Sequence, residues 1–329
     1  MIKNKYLLLI TLVGCQTKVP IFSGENAFDH LKAQCAFGPR NPGSDGHKKT
    51  LEYYINTFGE LADTVITQSF TETMPRTFTE TMSRTGEKVL MNNVIARFNI
   101  KAEKQIIISA HWDTRPWADR GENYMGRNQP ILGANDGASG VAVLIELAHI
   151  MNKNKPKIGV NLVLFDAEDY GTSGDSWSYC KGSQYFARNL PIDFPDYAIN
   201  LDMIADKEPE FYIERFSYQQ NPRLVMELWD SAESLGLKSF KKKAKHMIFD
   251  DHVPLYEIAG IPAIDIIDFD YPNEKINYHH TQNDIVENCS PKGLGEVGTL
   301  MVHHIYTCLL YTSDAADEGL GVDLGGRRI

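Results

Sequence analysis

The apolar positions along this chain fall into two kinds of run. Some are short and nearly unbroken: Ile106–Ala110, Asn161–Phe165, Tyr197–Leu201 and Ile261–Ile267. Such runs suit strands buried on both faces of a largely parallel sheet. Others recur at helical spacing, most plainly Val141, Leu144, Ile145 and Ala148, which follow the glycine-rich stretch Gly133-Ala-Asn-Asp-Gly-Ala-Ser-Gly140. The pattern predicts helices over 25–36, 47–59, 137–152, 182–190, 220–235, 253–259 and 291–307, with further strands at 65–70 and 93–98. Strands alternating with helices imply an α/β fold, here a mixed, largely parallel central sheet flanked by helices on both faces, a three-layer sandwich.

Length and composition narrow this reading. Residues 25–307 suit one large α/β domain rather than two small ones, and they are enough to bury a sizeable core. A net charge of −10 and a pI near 5.5 argue against nucleic acid as a partner. The basic run Lys241-Lys-Lys-Ala-Lys245 reads as a solvated loop before a strand. Cys35, Cys180 and Cys289 are too few and too irregularly spaced for a disulfide framework, although one pair is open in an exported protein. Phe70-Thr-Glu-Thr-Met-Pro-Arg-Thr77 is followed by a near copy, Phe78–Thr85, read as a lengthened hairpin or an assembly error.

Both ends stand apart from the domain. Residues 1–14 combine a basic start with an apolar run, Tyr6–Val13, too short for a spanning helix of roughly 20 residues. Leu12-Val-Gly-Cys15 resembles a bacterial lipoprotein signal, so the expectation is export, cleavage before Cys15, lipidation of its sulfur and residence in the periplasm or outer membrane. Residues 15–24 then serve as a linker, and the lipid is the only membrane attachment. Residues 308–329 change character abruptly and resemble the in-frame translation of a sequencing-library adapter. They are assigned no fold or chemistry.

The chemistry gathers where the strands end. Ligands in open α/β sheets sit at the C-terminal ends of strands. Here those ends read His111-Trp112-Asp113, Asp166-Ala167-Glu168-Asp169 and Asp202. Asp136 opens a helix, and a late loop adds Tyr278-His279-His280. Asp136 alone would be read as a helix cap; several strand ends converging on it describe a metal site. Asp136, Asp169 and His280 supply the three ligands of a catalytic zinc with an open position. Glu168, beside a ligand, stands where a general acid/base belongs.

His111-Trp-Asp113, Gly133-Ala-Asn-Asp136, Glu168-Asp169, Asn200-Leu-Asp202, Asp251-His-Val-Pro254 and His280-Thr281, in that order, resemble the M28-like zinc aminopeptidase family over residues 25–307. The resemblance implies one of two activities. A dinuclear aminopeptidase would place two zinc ions on His111, Asp136, Asp169, Asp202 and His280, with Glu168 activating water. A glutaminyl cyclase would use one zinc on Asp136, Asp169 and His280. Phe249-Asp250-Asp251-His252, Leu201-Asp-Met-Ile204 and His111-Trp-Asp-Thr-Arg-Pro-Trp-Ala-Asp-Arg120 are similar to the exported bacterial cyclases. Peptidases of the family usually carry Ser where Asp250 stands.

The expected function is therefore conversion of N-terminal Gln of peptides or proteins to pyroglutamate with release of ammonia. The resemblance gives Glu168 the role of proton carrier, and Asp250, hydrogen-bonded to Asp202, the leaving nitrogen. Trp112, His279 and Trp177 are candidate substrate contacts, with core or rim packing as the alternative for the tryptophans. Asp265 replaces a His of the animal enzymes, so the network around Asp250 is expected to differ. His246, His303 and His304 read as ordinary helix or loop residues. The chain is expected to act as a monomer. A non-catalytic binding scaffold would require a lost ligand or a lost Glu168, and none is lost.

Overall fold

The computed structural model describes residues 19–74, 87–121 and 126–307. The signal segment, Cys15, the second copy of the duplication and the tail from 308 lie outside the described residues.

Six strands form the central sheet: β1 (Thr64–Met74), β2 (Glu87–Phe98), β3 (Gln105–His111), β4 (Gly159–Phe165), β5 (Tyr197–Asp202) and β8 (Ala263–Ile267). Their order is β1-β2-β4-β3-β5-β8. The four strands read from continuous apolar runs are the four that pair in parallel, in the order β4-β3-β5-β8. β1 and β2 add an antiparallel edge. Two small sheets lie apart from it: β6 (Phe211–Ile213) with β7 (Phe240–Ala244), and β9 (Pro272–Asn273) with β10 (Ile276–Asn277).

Alternation along each strand feeds two cores. One face sends Ile106, Ile108, Leu162, Leu164, Ile199 and Ile264 into the larger core. That core is closed by α1 (Gly24–Cys35), α2 (Asp45–Leu61), α3 (Ala138–Lys153), α6 (Pro222–Ser234) and α8 (Pro291–Thr307). The other face sends Ile95, Ile107, Val163 and Ala198 against Phe186 of α4 (Lys181–Arg188) and Leu255 of α7 (His252–Ala259). The expected three-layer arrangement is what forms, and no helix of the described residues is long and apolar enough to cross a membrane.

The helix read over 220–235 is α6; a short helix that was not read, α5 (Arg215–Gln220), precedes it, ended by Asn221, whose side chain accepts the Leu224 N–H, with Pro222 opening α6. One local expectation is corrected. Lys241–Ala244 is not a loop but part of β7; the lysines keep their charge at the surface by pairing with Glu210, Asp230 and Glu233. The open question of a disulfide closes: Cys35, Cys180 and Cys289 are all free and buried.

Candidate active site

The site forms where β3, β4 and β5 end and α3 begins. Gly137 has φ +98°, and a Cβ there would meet Asp113 O at 2.4 Å and the His111 ring at 3.2 Å. A Cβ on Gly140 would stand 2.2 Å from Leu201 O. The glycines therefore let α3 come down onto the strand ends and bring Asp136 over them. Gly137 is the cap of α3 and no side chain bonds its free amides, so Asp136 is not spent on capping.

Asp136, Asp169, His279 and His280 present ligand atoms that all lie within 4.8 Å of one another. His280 Nε2 is 2.7 Å from Asp169 Oδ1 and 3.7 Å from Asp136 Oδ2. Asp136 Oδ2 and Asp169 Oδ2 are buried without a hydrogen-bond partner. Two orphaned carboxylate oxygens facing an imidazole nitrogen fit a divalent cation, since such oxygens are costly to bury unpaired. His279 is neutral: burial, then His280 and Arg120, push it well below its ordinary range, and its Nδ1 accepts from Arg120 Nη1 at 2.8 Å.

His111 stands beside this group. Its Nε2 is 3.1 Å from both Asp136 Oδ1 and Asp202 Oδ1. The three residues form a second group with metal-ligand spacing. Glu168, Cys180 and Asp250 form a third, again within 4.8 Å. Burial, then the charge of Asp169, raise the Glu168 carboxyl well above its usual range. Burial and then Asp202 raise Asp250 to about 6. Burial would raise Asp169 too, but His280 holds it well below the ordinary carboxylate value.

Two buried aspartates fix the loops that carry the ligands. Asp284 accepts the amides of Asn135 at 2.8 Å and Asp136 at 3.1 Å. Asp113 accepts those of Glu168 at 2.9 Å and Asp169 at 3.3 Å. Arg40, fully buried, ties the carbonyls of Trp112, Leu132 and Gly133 together. Arg115 donates to Asp169 O at 2.7 Å and is itself held by Asp119. Behind Asp166, His47 Nε2 bonds both carboxylate oxygens at 3.0 and 2.9 Å. Ala167 and His280 take left-handed backbone angles, φ +57° each. A non-glycine residue keeps such a conformation only where its surroundings over-determine it.

The site opens into a cavity of about 310 Å³ that includes Asp136, Glu168, Asp169, Asp202, Asp250 and His280 in its wall. His279 also faces it. Trp112 does not: it is fully buried, stacks on His47 at 4.3 Å and gives its indole N–H to Asn92 O. Its neighbour His111 turns toward the site, and alternation along the extended chain sends Trp112 to the core. Trp177 is half-exposed at the rim, edge-on to the cavity-lining Phe249 at 5.0 Å. The expected Asp250–Asp202 hydrogen bond is absent: Asp250 Oδ1 takes the amide of Asp251, and its buried Oδ2 has no partner. Asp265 accepts from Asn200 Nδ2 instead.

Sequence reasoning missed Arg40 and Asp284, whose partners lie far away in the chain, and Cys180, which bonds Glu168 twelve residues before it. It also missed His246, which faces the cavity and bonds Asp270 at 2.8 Å. Only Asp284 carried a local signal, four residues after His280 in a turn-forming run.

The chain is 27% identical to aminopeptidase YwaD of Bacillus subtilis over 63% of its length, spanning 42% of that protein. It is 25% identical to the glutaminyl-peptide cyclotransferase of Drosophila melanogaster over 75% of its length, spanning 70% of that protein. The solved structure of Bacteroides thetaiotaomicron glutaminyl cyclase bound to N-acetylhistamine superposes with a TM-score of 0.80 at 31% identity, over 88% of this chain and 99% of that one. The sequence description of peptidase family M28 matches residues 93–305, a stretch that includes Asp136, Glu168, Asp169, Asp202, Asp250 and His280. By that match, and by the likeness of the whole fold, the chain belongs to peptidase family M28.

Proposed function

We propose that the protein is a zinc-dependent glutaminyl-peptide cyclotransferase, which closes N-terminal Gln to pyroglutamate and releases ammonia. Asp250 carries the reading. It is a buried carboxyl with a free oxygen, next to Glu168 and in the wall of the cavity. Hydrolysis at a dinuclear centre has no evident need for it, whereas cyclisation needs a group to hold the departing nitrogen.

One zinc ion would be held by Asp136, Asp169 and His280. Asp136 and Asp169 each keep a buried oxygen without a hydrogen-bond partner, which supports an ion at that set. When bound, zinc draws electron density from the γ-carboxamide oxygen of the substrate and makes its carbon a better electrophile.

The rest is done by side chains of this chain. The substrate's α-amine attacks its own γ-carbon, so nucleophile and electrophile arrive already joined. The raised proton affinity of Glu168 suits it to take the proton of the attacking amine, whose own pKa is about 7.7–8.0. Glu168 then returns that proton to the nitrogen that leaves as ammonia. Asp250 Oδ2 accepts a hydrogen bond from that nitrogen and keeps it within reach of Glu168. The neutral His279, tethered by Arg120, forms a fixed wall beside the amine. The likeness to a solved glutaminyl cyclase over nearly its whole length supports this assignment.

The sequence of the first residues supports export, with a lipid on Cys15 as the only tie to a membrane; the mass of the mature N-terminus checks this. The chain works as a monomer on peptides or proteins that begin with Gln, a state that sedimentation of the active enzyme tests.

The deciding experiment incubates zinc-loaded protein with Gln-Phe-amide and Leu-Phe-amide and follows both by mass spectrometry. Loss of one ammonia from the Gln peptide, far faster than its spontaneous loss, with the Leu peptide intact, is the expected result. Release of free Leu would overturn it in favour of an aminopeptidase.

A further inference from the structure

Cys180 is fully buried, yet it lies beside the cavity rather than in the apolar core. It holds Glu168 twice. Its backbone N–H donates to Glu168 O at 2.9 Å, and its Sγ–H to Glu168 Oε1 at 3.3 Å. It does so from a left-handed backbone conformation, φ +54°, unusual for a residue with a side chain. That conformation directs its main chain and thiol toward one residue, and the same turn starts α4, whose Ser183 hydroxyl bonds Cys180 O. Asp113 meanwhile pins the Glu168 amide from the other side. Glu168 is thus fixed at its amide, its carbonyl and one carboxylate oxygen, leaving Oε2 to move a proton.

We propose that Cys180 is a positioning residue for the reaction: its thiol locks the Glu168 carboxylate in the orientation that serves proton transfer. The proposal rests on the reading of Glu168 as proton carrier. The S–H donor fixes the direction of Oε1, and a hydroxyl at the same position can donate there as well. The role concerns orientation, so it bears on turnover and leaves substrate and metal binding alone.

The test compares Cys180→Ala, Cys180→Ser, Cys180→Gly and Glu168→Gln in the zinc-loaded full chain. Turnover of Gln-Phe-amide, zinc content and melting temperature are followed for each. Cys180→Ala should lower kcat by roughly tenfold, the cost of a misplaced reacting group, with KM and zinc content unchanged. Cys180→Ser retains an O–H donor and should recover most of kcat. Cys180→Gly is at ease at positive φ, so it gives a folded variant without the donor even if Ala unfolds the chain, and it should be as slow as Ala. Full kcat in the Gly or Ala variant beside an inactive Glu168→Gln would overturn the proposal while sparing Glu168. A Ser variant as slow as Gly would overturn it as well. An active Glu168→Gln would instead overturn the reading of Glu168 on which the proposal stands.

Discussion

Asp284 Oδ2 accepts the backbone N–H of Asp136 at 3.1 Å, while its Oδ1 takes the N–H of Asn135 at 2.8 Å. One carboxylate thus sets the turn that aims a metal ligand, and it is contributed from a loop 148 residues further along the chain. Asn at position 284 can accept from only one of the two amides; its NH₂ group would face the other. A buried N–H left without an acceptor costs about 1–3 kcal/mol. Loss of a hydrogen-bonding neighbour that orients a ligand typically weakens metal binding 10–100-fold. Asp284→Asn is therefore expected to fold but to bind zinc about tenfold or more weakly in a competition titration with a chromophoric chelator. Wild-type affinity would show that the turn holds without it.

Metal removal separates the two ligand groups. Asp136→Asn, Asp169→Asn and His280→Ala should each lose zinc, whereas Asp202→Asn should retain it. Elemental analysis of the wild type should give one zinc per chain. Two per chain, with one lost in Asp202→Asn, would move the assignment to a dinuclear centre on His111, Asp136, Asp169, Asp202 and His280.

Glu168 and Asp250 are expected to fail differently from the ligands. Glu168→Gln keeps the shape of the side chain but cannot take a proton, so turnover should fall by about 10²–10⁴-fold, the usual worth of a general base, with zinc still bound. Asp250→Ala should also cut kcat severely with zinc retained. Near-normal cyclisation by Asp250→Ala would remove the main ground for preferring cyclisation to hydrolysis.

What the sequence made legible follows from what is local. The four parallel strands were readable because each is apolar on both faces, and Asp169 and Asp136 because they follow such a strand or open α3; His280 stood out only as half of a His pair in a late loop. The pair Asp113 and Asp284 was not readable as two loop clamps, because its partners are backbone amides, which leave no mark in a sequence. Trp112 was misjudged for a related reason. Proximity in sequence to His111 places it near the site, but alternation along an extended chain puts adjacent side chains on opposite sides. Lys241–Lys243 was misread because charge hides the strand pairing with β6.

The tryptophans give a contrast that tests this placement. Trp177 touches Phe249 at the rim and is half-exposed. Trp177→Ala should raise KM for Gln-Phe-amide several-fold with kcat and stability near wild type. Trp112 is fully buried, and Trp112→Ala should cost about 3–5 kcal/mol of stability in urea unfolding. Equal effects of both variants on KM, with no loss of stability in Trp112→Ala, would show that Trp112 reaches the substrate after all.

Asp268 supplies a pH dependence that lies outside the metal site. Burial raises its carboxyl to about 7, against the lowering effect of the Glu210 amide bonded to its Oδ2 at 2.9 Å. In the unfolded chain the same group titrates at about 3.9. The folded protein therefore holds this proton more tightly than the unfolded chain does. The contribution is fully present below the unfolded value, is lost as pH rises from about 4 to 7, and changes no further above that. Integrated over that window it is on the order of 4 kcal/mol, since each pH unit is worth about 1.4 kcal/mol. Asp268→Asn retains a carbonyl for the Glu210 amide and has nothing to ionise. The melting temperature of the Asn variant minus that of wild type should therefore grow steadily from pH 4 to pH 7 and level off by pH 8. Taking the difference cancels the titration of the other buried carboxyls and any shared loss of zinc at low pH. A flat difference across that range would mean that Asp268 ionises as freely in the folded protein as in the unfolded chain, and that the Glu210 and Asp270 amides compensate its burial in full.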